Sequence, residues 1–454
     1  MKKQNKWMWV AALVVLTPMA AQATNGKNPI ASGARAAGMG GADQAIAADT
    51  TAMNTNPAGI AGQGIRFDLS TGFLAPSVSM NDGVNTPNGA MAINDGAMTE
   101  SGIFPLINGG FVYEVVPNLS LGLGFFTQGG MGAEFKGLKT FVDSNPMTDD
   151  RQPIPGTYDT KSEIGMMKIA PSVAYKMKNL GGVMDLSIGV TGNIGLSKMM
   201  FSHSGFQFPE PTDNDPYYAA HSVEFESGWA TSYGGRVGIM AEFLKGKLSV
   251  GATYQSALNS SYTGTTTVDS QMTYDTTVDL AWAQEAGIGL AGRPIEGLTL
   301  AVDLRWLNWS ATMDEIALKG TASSQVPPGY EQLNQQFKLN WKDQFVVSAG
   351  AEYKVASALK IRAGYNWAQS PVDGSGINPL FPAVSVQHFT AGLGVDITDA
   401  LKADLAFIYS PTNAVKSDAD NQMAKDPTTG SNNGYSVENG MSQMSAHVAV
   451  GYTF

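Results

Sequence analysis

From Met444 to Phe454 every second residue is apolar: Met444, Ala446, Val448, Val450, Tyr452 and Phe454 alternate with Ser445, His447, Ala449, Gly451 and Thr453. A period of two belongs to an extended strand, whose successive side chains leave opposite faces. The same pattern recurs from Leu401 to Tyr409, from Leu359 to Trp367 and from Leu186 to Ser197. In the last two tracts the second phase carries Lys360, Arg362, Gly364 and Asn366, or Ser187, Gly189, Thr191, Asn193, Gly195 and Ser197. Strands with aliphatic side chains outside and small, polar or charged ones within are the inverse of a water-soluble barrel, and lipid is then the outer solvent. A soluble β-sandwich would need a polar outer face, which these tracts do not provide.

Composition narrows the choice further. No apolar run reaches the ~18 residues of a spanning helix. Charged residues fill 15% of the 454 positions, against about 25% in an ordinary soluble domain. The chain has no cysteine, which removes disulfides, thiolate chemistry and cysteine-based metal sites, and its net charge of −11 argues against nucleic acid as a partner. Residues 1–23 read as a cleaved signal peptide: Lys2, Lys3 and Lys6 precede an apolar stretch from Trp7 to Leu16, and Ala21-Gln22-Ala23 is a small-x-small cleavage site. The mature chain is expected to begin near Thr24.

Alternating tracts occur near 66–75, 108–115, 119–126, 169–177, 184–198, 233–243, 247–256, 277–291, 297–309, 337–353, 359–367, 388–397, 401–410 and 444–454. They make fourteen strands, an even number. Short turns such as Val116-Pro117-Asn118, Lys245-Gly246 and Thr398-Asp399-Ala400 alternate with much longer connections. That is the arrangement of an outer-membrane barrel, with both termini on the short-turn, periplasmic side. The expected fold class is therefore all-β, a 14-stranded antiparallel transmembrane barrel over 66–454. Trp306, Trp309, Trp341, Trp367, Tyr409, Tyr452 and Phe454 lie near strand ends, where interfacial rings are expected.

Residues 24–65 do not alternate. They run through Ser32-Gly33-Ala34-Arg35-Ala36-Ala37-Gly38-Met39-Gly40-Gly41-Ala42 and Ala45 to Thr50 to reach Asn56-Pro57-Ala58-Gly59. This stretch resembles the amino-terminal hatch of the FadL family of outer-membrane long-chain fatty acid and hydrocarbon transporters. Trp341-Lys342-Asp343-Gln344-Phe345, Ile361-Arg362-Ala363-Gly364-Tyr365 and Gln369-Ser370-Pro371-Val372 are similar to that family's carboxyl-terminal strands. The resemblance implies a barrel with an internal plug. It also implies facilitated uptake of hydrophobic molecules, a basic head-group contact near Lys338 with Lys198 as a second candidate, and a lateral opening at Thr127 to Phe135. Read without the family, Gly129, Gly130 and Gly132 mark a bulge or kink in the third tract. Asn56, Pro57 and Ala58 read equally as an Asx-type turn or an ordinary helix-ending turn, and inward Asp303, Arg305, Glu352, Arg362, His388 and Asp404 offer partners to a plug.

No catalytic group stands out. Of four histidines, His388 and His447 fall on the polar phase, His203 and His221 in a long connection, and no ligand-spaced cluster suggests a metal. Neither enzyme nor cofactor is expected. The acidic runs Asp143 to Asp150, Asp213 to Asp215 and Asp418 to Asp426 read as solvated loop. The long connections are unusually apolar, carrying Met80, Met91, Met98, Met166, Met167, Met199, Met200, Phe201, Phe206, Phe208, Leu380 and Phe381. Flexible methionines suit ligands of varied shape, so a groove built around Met199, Met200, Phe201, Phe206 and Phe208 is expected to receive a hydrophobic small molecule. A general porin for polar solutes, or a lipid-modifying barrel enzyme, is the competing class. A monomer is expected, contacting outer-membrane lipid, lipopolysaccharide and, during biogenesis, the barrel-assembly machinery.

Overall fold

A computed structural model describes residues 25–86, 89–100, 102–143, 151–204, 222–424 and 434–454. The amino-terminal segment holds a short helix, α1 (Ala34–Gly38), and two 3-10 turns, Thr50–Asn54 and Pro57–Ile60. Strands follow: β1 (Arg66–Thr86), β2 (Gly89–Met98), β3 (Phe104–Val116), β4 (Leu119–Asp143), β5 (Arg151–Leu180), β6 (Met184–His203), β7 (Val223–Ser227), β8 (Ala230–Phe243), β9 (Leu248–Gln255) and β10 (Leu258–Val268). The second half adds β11 (Met272–Trp282), β12 (Glu285–Gly292), β13 (Leu298–Leu307), β14 (Glu315–Ala322), β15 (Gln332–Lys338), β16 (Gln344–Ala356), β17 (Leu359–Ala368), β18 (Gln387–Asp396), β19 (Leu401–Lys416) and β20 (Tyr435–Thr453).

Fourteen of these close an antiparallel wall in the order β1-β3-β4-β5-β6-β8-β9-β12-β13-β16-β17-β18-β19-β20. Closure is made by β20 on β1, in register from Arg66 opposite Thr453 to Val84 opposite Tyr435. A closed wall leaves no unpaired sheet edge. The other six strands prolong the sheet at the rim opposite the short turns: β2 on β1, β7 on β6 and β10, then β10, β11, β14 and β15 in succession.

Two of the alternating tracts are interrupted. The tract at 277–291 breaks at Ala283 and Gln284 between β11 and β12, and that at 337–353 breaks between Lys338 and Gln344. The apolar period runs through the first break unchanged, but its face does not. Val278, Leu280 and Trp282 are buried, while Ile288 and Leu290, in the same even phase, are exposed on the outside. The same exchange separates Val250 and Tyr254 outside from Leu258 and Tyr262 inside, and Leu300 and Leu304 outside from Ile316 and Leu318 inside. An extra residue or short irregular stretch rotates the chain by one face. The wall is thus apolar outside near the short turns, and apolar inside with Asn259, Ser261, Asp275 and Asp279 outside at the far rim.

The amino-terminal segment lies among the inward side chains of the barrel half near the short turns. Its backbone approaches the wall so closely that a Cβ on Gly189 would stand 2.3 Å from the Pro57 carbonyl carbon, and one on Gly251 would stand 2.0 Å from Gln44 O. The many glycines of the inner phase are the seat of this segment. β1 begins at Arg66.

Candidate functional site

Inside the far half, the exchanged strands assemble one continuous apolar cluster. It includes Met80, Met131, Phe135, Met166, Met199, Phe201, Phe225, Phe381 and Met441, all buried. Three tryptophans from the interruption points bound it on the side of the amino-terminal segment: Trp282, Trp309 and Trp341. Trp309 and Trp341 meet edge to face with centroids 5.7 Å apart, and Trp309 Nε1 donates to Gln344 Oε1 at 3.3 Å. This corrects the interfacial position expected for Trp309 and Trp341, because each follows a point where the chain leaves the wall and turns inward. Trp367, Tyr409, Tyr452 and Phe454 do remain on the outer surface.

Against the tryptophans sits a tight turn, Asn25 to Asn28, closed by backbone bonds of 2.9 and 3.1 Å between those two residues. Lys27 is fully buried there. Its Nζ donates to Ala281 O at 3.1 Å and lies 4.3 Å from the Trp282 ring centroid and 5.4 Å from that of Trp309. Burial without a compensating carboxylate pushes the Lys27 ammonium down from its ordinary value to about 7. Asn28 Oδ1 accepts from Trp282 Nε1 at 2.8 Å and from Gln128 Nε2 at 3.2 Å.

The rest of the segment is tied to the wall by charge and backbone hydrogen bonds. Asp303 Oδ2 accepts from the backbone N–H of Asp43 at 2.6 Å and of Gln44 at 2.8 Å. Arg35 lies 3.5 Å from both Asp43 and Glu352, and Arg362 bonds Glu352 and Asp404, each at 2.6 Å. Arg305 donates to Ile30 O at 3.3 Å, and Arg236 donates to Thr55 O at 2.9 Å. Of the inward charges read from the alternation, Asp303, Arg305 and Glu352 contact the amino-terminal segment, whereas Arg362 and Asp404 bond within the wall, as does His388, which bonds Asn366 and Gln443. Asn56 caps the turn at Pro57, its Oδ1 accepting from Ala58 N at 3.2 Å. Its Nδ2 donates to Gln44 O at 2.7 Å and Ile239 O at 3.0 Å.

The glycine cluster in β4 marks a break in pairing on one side only. β3 and β4 pair as far as Asn108 opposite Phe126, and the ladder between β4 and β5 shifts register between Thr127 and Gly129 but continues. On the β3 side, contact is found again where Glu134 O accepts from Glu100 N at 3.0 Å, so among the described residues the β3–β4 ladder is interrupted at 128–131, a window in the wall. The Asn25–Asn28 turn covers it from inside. Gly130 N donates to Lys27 O at 3.1 Å, and Gly129, at φ 137°, has that oxygen 1.9 Å from where a Cβ would stand. Only glycine fits there.

The basic candidates lie elsewhere. Lys338 ends β15 outside the fourteen-strand wall, exposed and paired with Glu315, and Lys198 projects on the outer phase of β6, paired with Glu226. Met199 and Phe201 point into the cluster, whereas Met200 shares the outer phase with Lys198. The segment expected as a loop here is the upper part of β6, so alternation divides its residues between faces. Phe206, Phe208 and His221 lie outside the described residues, as do residues 1–24 and most of the acidic runs at 143–150 and 213–215. Sequence reasoning missed Lys27, although a lone lysine in a segment of small residues is a signal in itself.

Over residues 12–454 the sequence matches the family described as outer membrane protein transport protein (OMPP1/FadL/TodX). The chain belongs to this family. Among solved structures it is similar to a Pseudomonas aeruginosa FadL homologue at TM-score 0.69 and 15% identity, covering 96% of this chain and 99% of that one. It is similar to the toluene transporter TodX of P. putida at TM-score 0.63 and 19% identity, covering 93% and 99%, and to the toluene transporter TbuX of Ralstonia pickettii at 0.60 and 17%, covering 93% and 98%. At these identities the likeness is one of fold. No curated protein sequence matches significantly. Family membership makes this chain a multi-pass outer-membrane barrel of a hydrophobic-substrate channel family, and the family and its structural neighbours are transport channels, not enzymes.

Proposed function

We propose that the protein carries hydrophobic small molecules, long-chain fatty acids foremost, across the outer membrane by facilitated diffusion and releases them sideways. Residues 1–23 are the cleaved leader, 24–65 the hatch and 66–454 the barrel, with both termini in the periplasm. The channel works as a monomer amid lipid and lipopolysaccharide after insertion by the barrel-assembly machinery. Ligand is collected at the far rim, where Met199 and Phe201 join the apolar cluster, and leaves through the window at Gly129, Gly130 and Gly132. The observation that carries this reading is the interruption of the β3–β4 ladder at residues 128–131, at and beside cluster members Met131 and Phe135. Lateral release is favoured because exposing an acyl chain to water costs about 0.8 kcal/mol per methylene, whereas release into lipid costs little. The test uses a fatty acid with a terminal diazirine, supplied to whole cells and photolysed during uptake. Labelling should map to residues 104–107 of β3 and 127–133 of β4; labels found only on 25–64 would mean that ligand crosses the hatch instead.

A further inference from the structure

A buried ammonium is costly without a counter-charge. Lys168, also buried, donates to the Gln255 amide oxygen and lies in polar surroundings, in the opposing fields of Arg236 and Glu285. Lys27 has no such anion: among the described residues no carboxylate pairs with its Nζ, which holds one carbonyl and two indole faces. Both indoles belong to the apolar cluster, so the charge stands at the inner boundary of the region assigned to the ligand. Lys338 and Lys198, by contrast, already have carboxylate partners and stand outside that cluster.

We propose that Lys27 is the head-group receptor of the channel, its ammonium taking the carboxylate of an amphiphile whose alkyl chain lies among Met131, Met166, Met199 and Phe201. This rests on the reading that hydrophobic ligands occupy the cluster, and names the residue that takes their head group. The carboxylate supplies the missing counter-charge in surroundings where a charge-assisted hydrogen bond is strong. It also draws Lys27 Nζ from Ala281 O. Because Lys27 O is the acceptor for Gly130 N, the residue that senses the head group is the one that covers the β4 window.

The full chain, purified in a non-ionic detergent, is titrated with dodecanoate and with 1-dodecanol, which share a chain length and differ in charge. Tryptophan emission reports an ammonium leaving the Trp282 and Trp309 faces. The wild type should bind dodecanoate about tenfold more tightly than dodecanol, the scale of one charge-assisted bond. Lys27→Met should bring the two affinities together, and Lys27→Arg should keep the preference. Benzoate should bind more weakly than dodecanoate; equal binding removes the alkyl chain from the proposal and overturns it. A preference that survives in Lys27→Met overturns it as well, and so does a wild type that binds both dodecyl ligands equally, a result that stands whether or not the variants fold. A wild type that binds neither dodecyl ligand overturns the hydrophobic-channel reading itself.

Discussion

Asn56 uses both ends of its amide, and the consequences of changing it can be ordered. Its oxygen caps the turn by accepting from Ala58 N, and its Nδ2 satisfies two buried carbonyls, one on Gln44 and one on Ile239 of the wall. Asn56→Ala removes all three bonds, of which the cap alone is worth about 1 kcal/mol. Asn56→Asp keeps the acceptor but sets a buried anion against two carbonyl oxygens, so it should do more harm than alanine despite being closer in shape. Hydrogen exchange across residues 43–60 of the purified protein should therefore quicken in the order wild type, alanine, aspartate. Faster exchange in the alanine variant than in the aspartate one would show that the cap, and not the two donations, holds this turn. The turn itself was legible in the sequence because its chemistry is local. The wall carbonyl on Ile239, 183 residues away, was not.

At the level of elements, β4 and the amino-terminal turn are fitted to each other. Valine at Gly129 would, on periodicity alone, simply straighten the strand. The Lys27 carbonyl changes that expectation, since any Cβ at this position collides with it and φ 137° is strained for any L side chain. Gly129→Ala should therefore displace the Asn25–Asn28 turn at a cost of about 1–3 kcal/mol, exposing residues 25–30 to protease in the assembled barrel. Gly292→Ala, which meets nothing within 4 Å, should leave proteolysis unchanged; equal cleavage in both variants would mean that the turn is not held by β4. Periodicity gave the number of wall strands and their outward face, because lipid-facing and lumen-facing residues must alternate. It failed at the far rim for a physical reason. The apolar phase persists from Leu290 through Trp282 to Val278, but an irregular residue exchanges its face, so one sequence pattern encodes a lipid-facing wall and then a water-facing one. The interior cluster, and with it Trp282, Trp309 and Trp341, was hidden by that exchange.

At the scale of the whole molecule, the question is what fills a fourteen-stranded ring. About eight strands enclose only enough room for side chains, whereas sixteen to eighteen leave an aqueous channel. A ring of fourteen falls near the second case, and its lumen would conduct ions if it held nothing else. Here two fillings lie in series: the amino-terminal segment in the half near the short turns, and the apolar cluster in the far half. The first is anchored by Asp303 beneath Asp43 and Gln44 and by Arg35 against Glu352; the second is a set of apolar side chains without such anchors. In a planar bilayer the wild-type protein should give no large, stable ohmic steps. Arg35→Ala combined with Asp303→Ala removes the anchors of the first filling while leaving the cluster intact, and should produce brief, irregular openings as the segment shifts in place. Stable porin-like conductance from the wild type would overturn the plugged reading and restore the general porin as the better description. A double variant as silent as the wild type would place the ion barrier in the apolar cluster alone.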